Sequence, residues 1–333
     1  MKFAEMPYQR VDTDAVVAAL KELTQKMKTA KSGEEQFRIH QKFYALRDEY
    51  NTMIQIATIR SDVDTTDTYY SGEKDYYNEV FPTINNQETE YRKVLYDSPY
   101  RAELEEKIGK VAFKSMELEF KAMNEKLIPL MREENALTTR YDNLIAGAKI
   151  DWEGETLNLS LLRPYMTHED RAIRRRAYEK YSAFFQSKAG ELDEIYDKLV
   201  KNRTTQARLL GYENYVELGY YRLNRNSYGK KEVENFRRQI KTYFVPLAEK
   251  IHDRRRERLG LEKLSYVDEG VYFAGGNPKP YGTPEEIMAN GQKMNEELTP
   301  ETKEFFDFMM KKQLFDVLGR KTKKAGGYMT NVI

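Results

Sequence analysis

The chain has 333 residues, with 55 Lys+Arg against 54 Asp+Glu, three His and no Cys. A net charge of +1 provides no long-range field for a polyanion, so general nucleic-acid binding is not expected. Zero Cys excludes disulfides, thiolate metal sites and thiol nucleophiles, and it suits a reducing, cytoplasmic setting.

Helical spacing dominates from the start. Val16, Val17, Leu20, Leu23 and Met27 recur at threes and fours behind Asp12 or Thr13 as N-cap. Gly33 breaks that pattern. A second helix is expected from about Glu34 towards Ile59, burying Phe37, Phe43, Tyr44, Ile54 and Ile56, and it forms a hairpin with the first. A third long segment runs from Ser61 to about Tyr96. Tyr69, Tyr70, Tyr76, Tyr77 and Phe81 give it packing residues, and Pro82 predicts a kink or a split. Ser98-Pro99 predicts a restart with Ser98 as cap and Pro99 at the first helical position. The period resumes from Val111 to Ile145, with a kink expected at Pro129.

Lys149 to Leu159 alternates apolar and polar residues around Glu153-Gly154-Glu155, which predicts a β-hairpin. Thr167-His168-Glu169-Asp170 has the pattern of a capping box, with Thr167 as cap and Asp170 reaching back. Helices are then expected at 168–187, 190–210, 231–258, 284–297 and 300–318. Thr283-Pro284-Glu285-Glu286 opens the fourth, and Gly319 ends the last. Leu264 to Lys279 reads as non-helical, with a short strand at Val271–Ala274. No stretch of about 18 apolar residues exists to span a bilayer. Met1 to Met6 has no apolar run behind Lys2, so no signal peptide is expected.

Few residues offer chemistry. A helical zinc site needs His at i and i+4 with Glu between; four residues after His168 stands Ala172, so that site is missing. His168 reads as capping or solvated, and His40 and His252 as isolated core or surface histidines. The runs Arg171, Arg174, Arg175, Arg176 and Arg254, Arg255, Arg256, Arg258 are interleaved with acids at helical spacing, which predicts solvated, ion-paired faces. The tyrosine-rich stretch Gly211 to Tyr221 is either helix packing or a groove for an extended peptide. Ala274 to Asn277 and Gly326-Gly327 lack the spacing of a dinucleotide fingerprint or a P-loop.

Ala207-Arg208-Leu209-Leu210-Gly211-Tyr212-Glu213-Asn214-Tyr215 resembles the M3 family of zinc metallopeptidases, in its oligoendopeptidase F branch. Asp62 to Asp67, the hairpin after Ile150, and Leu314 to Lys321 followed by Lys324 to Tyr328 agree with it in family order. The resemblance implies a predominantly α fold: multi-helix lobes of a channel-forming metallopeptidase, with a small β-hairpin near 149–159. It implies cleavage of short unstructured peptides, with zinc held by an HExxH helix and a further Glu. No HExxH occurs here, and no residue matches a catalytic or metal-binding position of the family. The chain is therefore read as the N-terminal portion, truncated before that motif, with zinc in the complete protein and none in this chain. Short peptides are the implied partners; nucleic acid and membrane are not. Gly326, Gly327 and Tyr328 are the implied substrate-flanking residues, in a segment to Ile333 that would extend as an edge strand. The division expected is 1–110, an N-terminal helical region; 111–200, a helical lobe with the hairpin; and 201–333, the incomplete start of the catalytic domain. The alternative is a non-enzymatic helical peptide-binding or scaffold module.

Overall fold

Short polar caps and apolar stripes set the order of elements in the computed structural model, which describes residues 1–332. Helix α1 (Thr13–Thr29) opens on Asp12, whose carboxylate accepts the Ala15 N–H at 3.0 Å, and it buries Val16, Leu20, Leu23 and Met27. Helix α2 (Gly33–Val63) starts at Gly33, where the pattern of the first helix breaks. Ser32 caps it by accepting the Glu35 N–H at 3.1 Å, and buried Gly33 lies against the Glu103 side chain. It outruns the expected Ile59 because its last turn is anchored: buried Asp62 pairs with Lys74 at 2.8 Å. Helix α3 (Thr68–Tyr96) consequently begins late, on Asp67, which accepts the N–H groups of Tyr69 and Tyr70.

Pro82 neither splits nor ends α3. Proline at that position deprives the Asn78 carbonyl of its helical donor. The Asn135 side-chain amide donates to that carbonyl instead, at 2.8 Å, and Arg132 Nε donates to the next one, Glu79, at 2.8 Å. The donors come from a later helix, so the sequence around Pro82 could not announce them.

Helix α4 (Arg101–Ile108) starts two residues beyond Pro99. The Ser98 hydroxyl accepts the Tyr100 N–H and donates to Gln36, which makes a turn there instead of an N-cap. The expected helix from Val111 to Ile145 is two helices. Helix α5 (Lys110–Ala122) ends at extended Met123, Asn124 caps a short 3-10 turn, and α6 (Ile128–Ala146) follows. Pro129 lies in the first turn of α6, where its missing N–H has no helical partner to lose, so it makes no kink.

Strands β1 (Ile150–Trp152) and β2 (Glu155–Leu157) pair antiparallel with Ile150 opposite Leu157. Glu153 and Gly154 both have positive φ (52° and 90°), the backbone a two-residue hairpin turn demands. Helix α7 (Leu159–Met166) follows, and α8 (Arg171–Ser187) comes next. Thr167 closes α7 and is not a cap for α8. Asp170 has that role, accepting the Ala172 N–H at 2.7 Å. After α9 (Ala189–Leu209) and α10 (Tyr215–Arg222), α11 (Lys230–Gln239) leads through a π-helical turn at Ile240–Phe244 into α12 (Val245–Arg258). Helices α13 (Pro284–Leu298) and α14 (Pro300–Lys311) form a hairpin, each opened by a threonine cap and a proline.

Helix α14 stops seven residues short of the expected 318. Gln313 takes φ 54°, and Phe315 folds back to place its ring 5.2 Å from Phe306. Nine residues along a helix would hold those two about 13 Å apart, so the contact and the longer helix are incompatible. The strand expected at Val271–Ala274 is also not formed. Asn277 accepts the Tyr272 N–H at 2.8 Å and donates to the Gly270 carbonyl at 2.6 Å, so a side chain holds the backbone groups a ladder would use.

By contacts the chain divides into two compact units. The larger comprises Gln9–Ile145, Ser187–Val245 and the tail from Gly327; the smaller comprises Met1–Tyr8, Ala146–Gln186 and Pro246–Gly326. In the larger, α3 packs on both α1 and α2, and α5 joins α3 to α10. Its centre is an aromatic stack, with Phe43 and Tyr91 centroids 4.1 Å apart and Arg92 over the Phe43 ring. Tyr44, expected inside, is exposed: its ring covers the edge of the stack, 4.8 Å from His40 and 5.7 Å from Phe43, with its other side in solvent. In the smaller unit, β2 packs on α7 and buried Trp152 meets Tyr165 at 4.7 Å. Among the described residues, no helix is long and apolar enough to cross a membrane.

Candidate functional site

The three histidines offer the first place to look for chemistry. His40, on α2 in the larger unit, is buried in the aromatic stack, with its Nδ1 3.4 Å from the Tyr91 hydroxyl. Burial, with the charge of Arg92 adding to it, pushes its pKa down to about 4, so the ring is neutral at physiological pH. His168 lies between α7 and α8, where its Nδ1 accepts the Asp170 N–H at 3.0 Å. His252, on α12, has its Nδ1 3.0 Å from an Arg255 guanidinium nitrogen. Among the described residues, no three His, Asp or Glu side chains converge as metal ligands. The donor set for a zinc ion with two imidazoles and a carboxylate does not fit the residues present.

The arginine runs are where sequence reasoning went furthest astray. Arg174 is 3% exposed, not solvated. It meets Asp268 at 3.0 Å, and donates to the carbonyls of Val267, His168 and Glu169. Arg171 grips the same carboxylate through two nitrogens at 2.9 and 2.8 Å, and the Ser265 N–H donates to it as well. The hydrogen bond from Arg171, with those from Ser265 and Arg174, outweighs burial and holds Asp268 well below the usual carboxylate range. Arg255 is also buried, donating to the Glu269 carbonyl at 2.7 Å. The other members behave as expected: Arg175, Arg254 and Arg258 are exposed, Arg176 pairs with exposed Glu153, and Arg256 pairs with helix-local Asp253 and Glu257. Helix-local acids were the expected partners. The partner of Arg171 and Arg174 lies more than 90 residues away, in a short 3-10 turn at Tyr266–Asp268, and nothing near the arginines marks it.

In the larger unit the corresponding centre is Glu134 on α6. It binds Arg203 at 2.7 Å and Gln206 at 2.8 Å from α9, and Arg222 at 3.0 Å from α10. Burial acts to raise its pKa, but the donors from Arg203 and Gln206 and the two guanidinium charges lower it below the ordinary glutamate value. The tyrosine-rich stretch feeds the same region. Tyr212 donates to the Lys121 carbonyl at 2.8 Å, Tyr221 donates to Glu217 at 2.7 Å, and the Arg222 guanidinium stands 5.7 Å from the Tyr215 ring. These hydroxyls serve packing. A nearby groove of about 530 Å³ is lined by Asp75, Asn78, Glu79, Arg132, Arg140 and Glu191 among others. Four of its charges are matched: Arg132 pairs with Glu79 at 3.1 Å and Arg140 with Glu191 at 3.3 Å.

The residues expected beside substrate lie in non-helical backbone near the end of the chain. Gly326 takes φ 87°, and added Cβ atoms at Gly326 or Gly327 would meet nothing within 4 Å. Tyr328 is 56% exposed, and Thr330 donates to Gln55 at 3.2 Å. No ladder pairs this segment among the described residues, whose only sheet is the hairpin. Ile333 lies outside the described residues.

Comparison with known proteins gives these features a setting. Residues 3–123 match the peptidase M3 N-terminal domain, and residues 164–333 match peptidase family M3. The chain is similar to the solved structure of PZ peptidase A with an inhibitor, at 42% identity and a TM-score of 0.98 over 99% of this chain and 59% of that one. It is equally similar to an X-ray structure assigned as oligoendopeptidase F, with 42% identity and a TM-score of 0.98 over 100% and 59%. A protein assigned as oligoendopeptidase F from Bacillus anthracis shares 38% identity, with a TM-score of 0.97 over 100% and 61%. No curated protein matches. The chain thus spans about three fifths of the length of these solved relatives. With both domain models matched along the chain and the helical architecture superposing throughout, the chain belongs to peptidase family M3.

Proposed function

We propose that this chain is the N-terminal, predominantly helical part of a zinc-dependent oligoendopeptidase that hydrolyses short unstructured peptides, and that it is inactive alone. The observation that carries the reading is a near-complete match to M3 relatives that extend well beyond it, in a chain whose three histidines are each isolated. Its role is then to form a wall of the peptide channel, supplying no metal ligand. The tripartite division at 110 and 200 and a cytoplasmic location belong to the same proposal. Zero Cys supports the location.

The genomic reading frame tests this directly. An HExxH motif encoded beyond Ile333, with chelator-sensitive peptide turnover by the longer product, is the expected result; a stop codon at 334 contradicts it. Within that longer protein, Gly326, Gly327 and Tyr328 are proposed to flank substrate. Tyr328→Ala should raise KM for a quenched peptide while leaving the melting temperature unchanged; an unchanged KM removes the assignment.

A further inference from the structure

Arg255 on α12 is buried without a counter-charge. It is 5% exposed, and its guanidinium donates to the Glu269 carbonyl at 2.7 Å and stands 3.0 Å from His252 Nδ1. Its buried Nε meets no hydrogen-bond partner. Among the described residues no carboxylate lies within ion-pair distance of it; Asp253 and Glu257, the flanking acids of α12, pair with Arg256 instead. A buried charge left unpaired is costly, and proteins normally supply a partner. The same unit shows that remedy at Arg174, which is 3% exposed and meets Asp268 at 3.0 Å.

The surroundings of Arg255 add positive charge. His252, Arg255 and Arg258 recur every three residues and so share one side of α12. Exposed Arg258 donates to the Tyr272 carbonyl at 3.4 Å and lies 5.0 Å from the Phe273 ring, while Arg255 lies 5.6 Å from the Tyr272 ring. Both guanidinium groups thus meet the same two residues of one loop. A guanidinium can only donate, so His252 Nδ1 accepts and the neutral ring holds its proton on Nε2. His252 is exposed, as are Tyr272 at 50% and Phe273 at 45%. Two cations, a ring N–H and two aromatic faces therefore gather here, and no acid stands among them.

We propose that Arg255, Arg258 and the His252 Nε2–H hold a small oxyanion, which supplies the missing counter-charge. Guanidinium groups suit such anions because their paired N–H donors match two oxygens at once. Two sources share this chemistry: the terminal carboxylate of a peptide, whose last side chain Tyr272 and Phe273 would cover, and free inorganic phosphate. The anion site does not depend on the peptidase reading; a peptide as its carrier does.

The test titrates the 333-residue chain calorimetrically at low salt with acetyl-glycyl-phenylalanine, with its C-terminal amide, and with phosphate. The free acid should bind, and the amide at least about tenfold more weakly. Phosphate binding as tightly as the acid would name phosphate as the source, leaving the anion site standing and the peptide carrier without support. Arg258→Gln, at an exposed position, should weaken binding at least about tenfold, as loss of a charged hydrogen bond does. Arg175→Gln, exposed on another helix, should leave it unchanged. Saturating anion should raise the melting temperature of the parent but not of Arg255→Met, which removes the charge to be neutralised. Absence of binding, binding indifferent to both Arg255→Met and Arg258→Gln, or an equal loss in Arg175→Gln would each overturn the proposal. So would loss of binding in a longer product of the reading frame, because a carboxylate of that product would then hold Arg255.

Discussion

Helix α1 and the α11 segment carry the same kind of apolar spacing and meet opposite fates. In α1, Val16, Leu20, Leu23 and Met27 are buried against α2 and α3. Along α11 and its π turn, Phe236, Ile240, Tyr243 and Phe244 lie open. Periodicity identifies which face of a helix is to be covered. It does not say whether the cover is present in the same polypeptide stretch. The arginines repeat the lesson with the sign reversed: Arg174 and Arg175 are neighbours in one basic run, yet the first is buried on Asp268 and the second is solvated.

The largest expected effects set these pairs against each other. Phe43→Ala removes a ring fully buried against Tyr91 and should lower stability by about 3–5 kcal/mol in denaturant unfolding. Phe244→Ala removes the same atoms from an open face and should stay within about 0.5 kcal/mol. Equal losses would erase the contrast. Asp268→Ala leaves Arg174 buried without its counter-charge, for an expected loss of about 3–5 kcal/mol. Arg175→Ala should be within about 0.5 kcal/mol by the same assay.

The buried aromatic stack should also show itself in the pH dependence of stability. The unfolded chain protonates His40 near 6.5, whereas the folded chain resists until about 4. The unfolded state therefore binds the extra proton between those values, and stability falls as pH drops from 6.5 to 4. The loss across that window is on the order of 3 kcal/mol. His40→Phe should flatten this part of the profile, and a slope unchanged in the variant would assign the effect elsewhere. A more modest loss is expected at the hairpin: Gly154 has φ 90°, and Gly154→Ala should cost about 1 kcal/mol by thermal melting.

What could be read from the sequence was local. The caps Asp12 and Thr283, the α1 face and the hairpin turn all follow from residues within a few positions of one another. What escaped depended on distant partners. Asn135 and Arg132 relieve Pro82, Asp268 neutralises Arg174, and Phe306 draws Phe315 out of the expected helix. The absence of HExxH was legible from three histidines alone.

The role proposed for this chain is to contribute scaffold, and no metal ligand, to an M3 peptidase. The most direct measurement is elemental analysis of the purified 333-residue chain after zinc loading, paired with a quenched-peptide assay. Substoichiometric zinc and no turnover are predicted. One zinc per chain with turnover abolished by a chelator would contradict the claim.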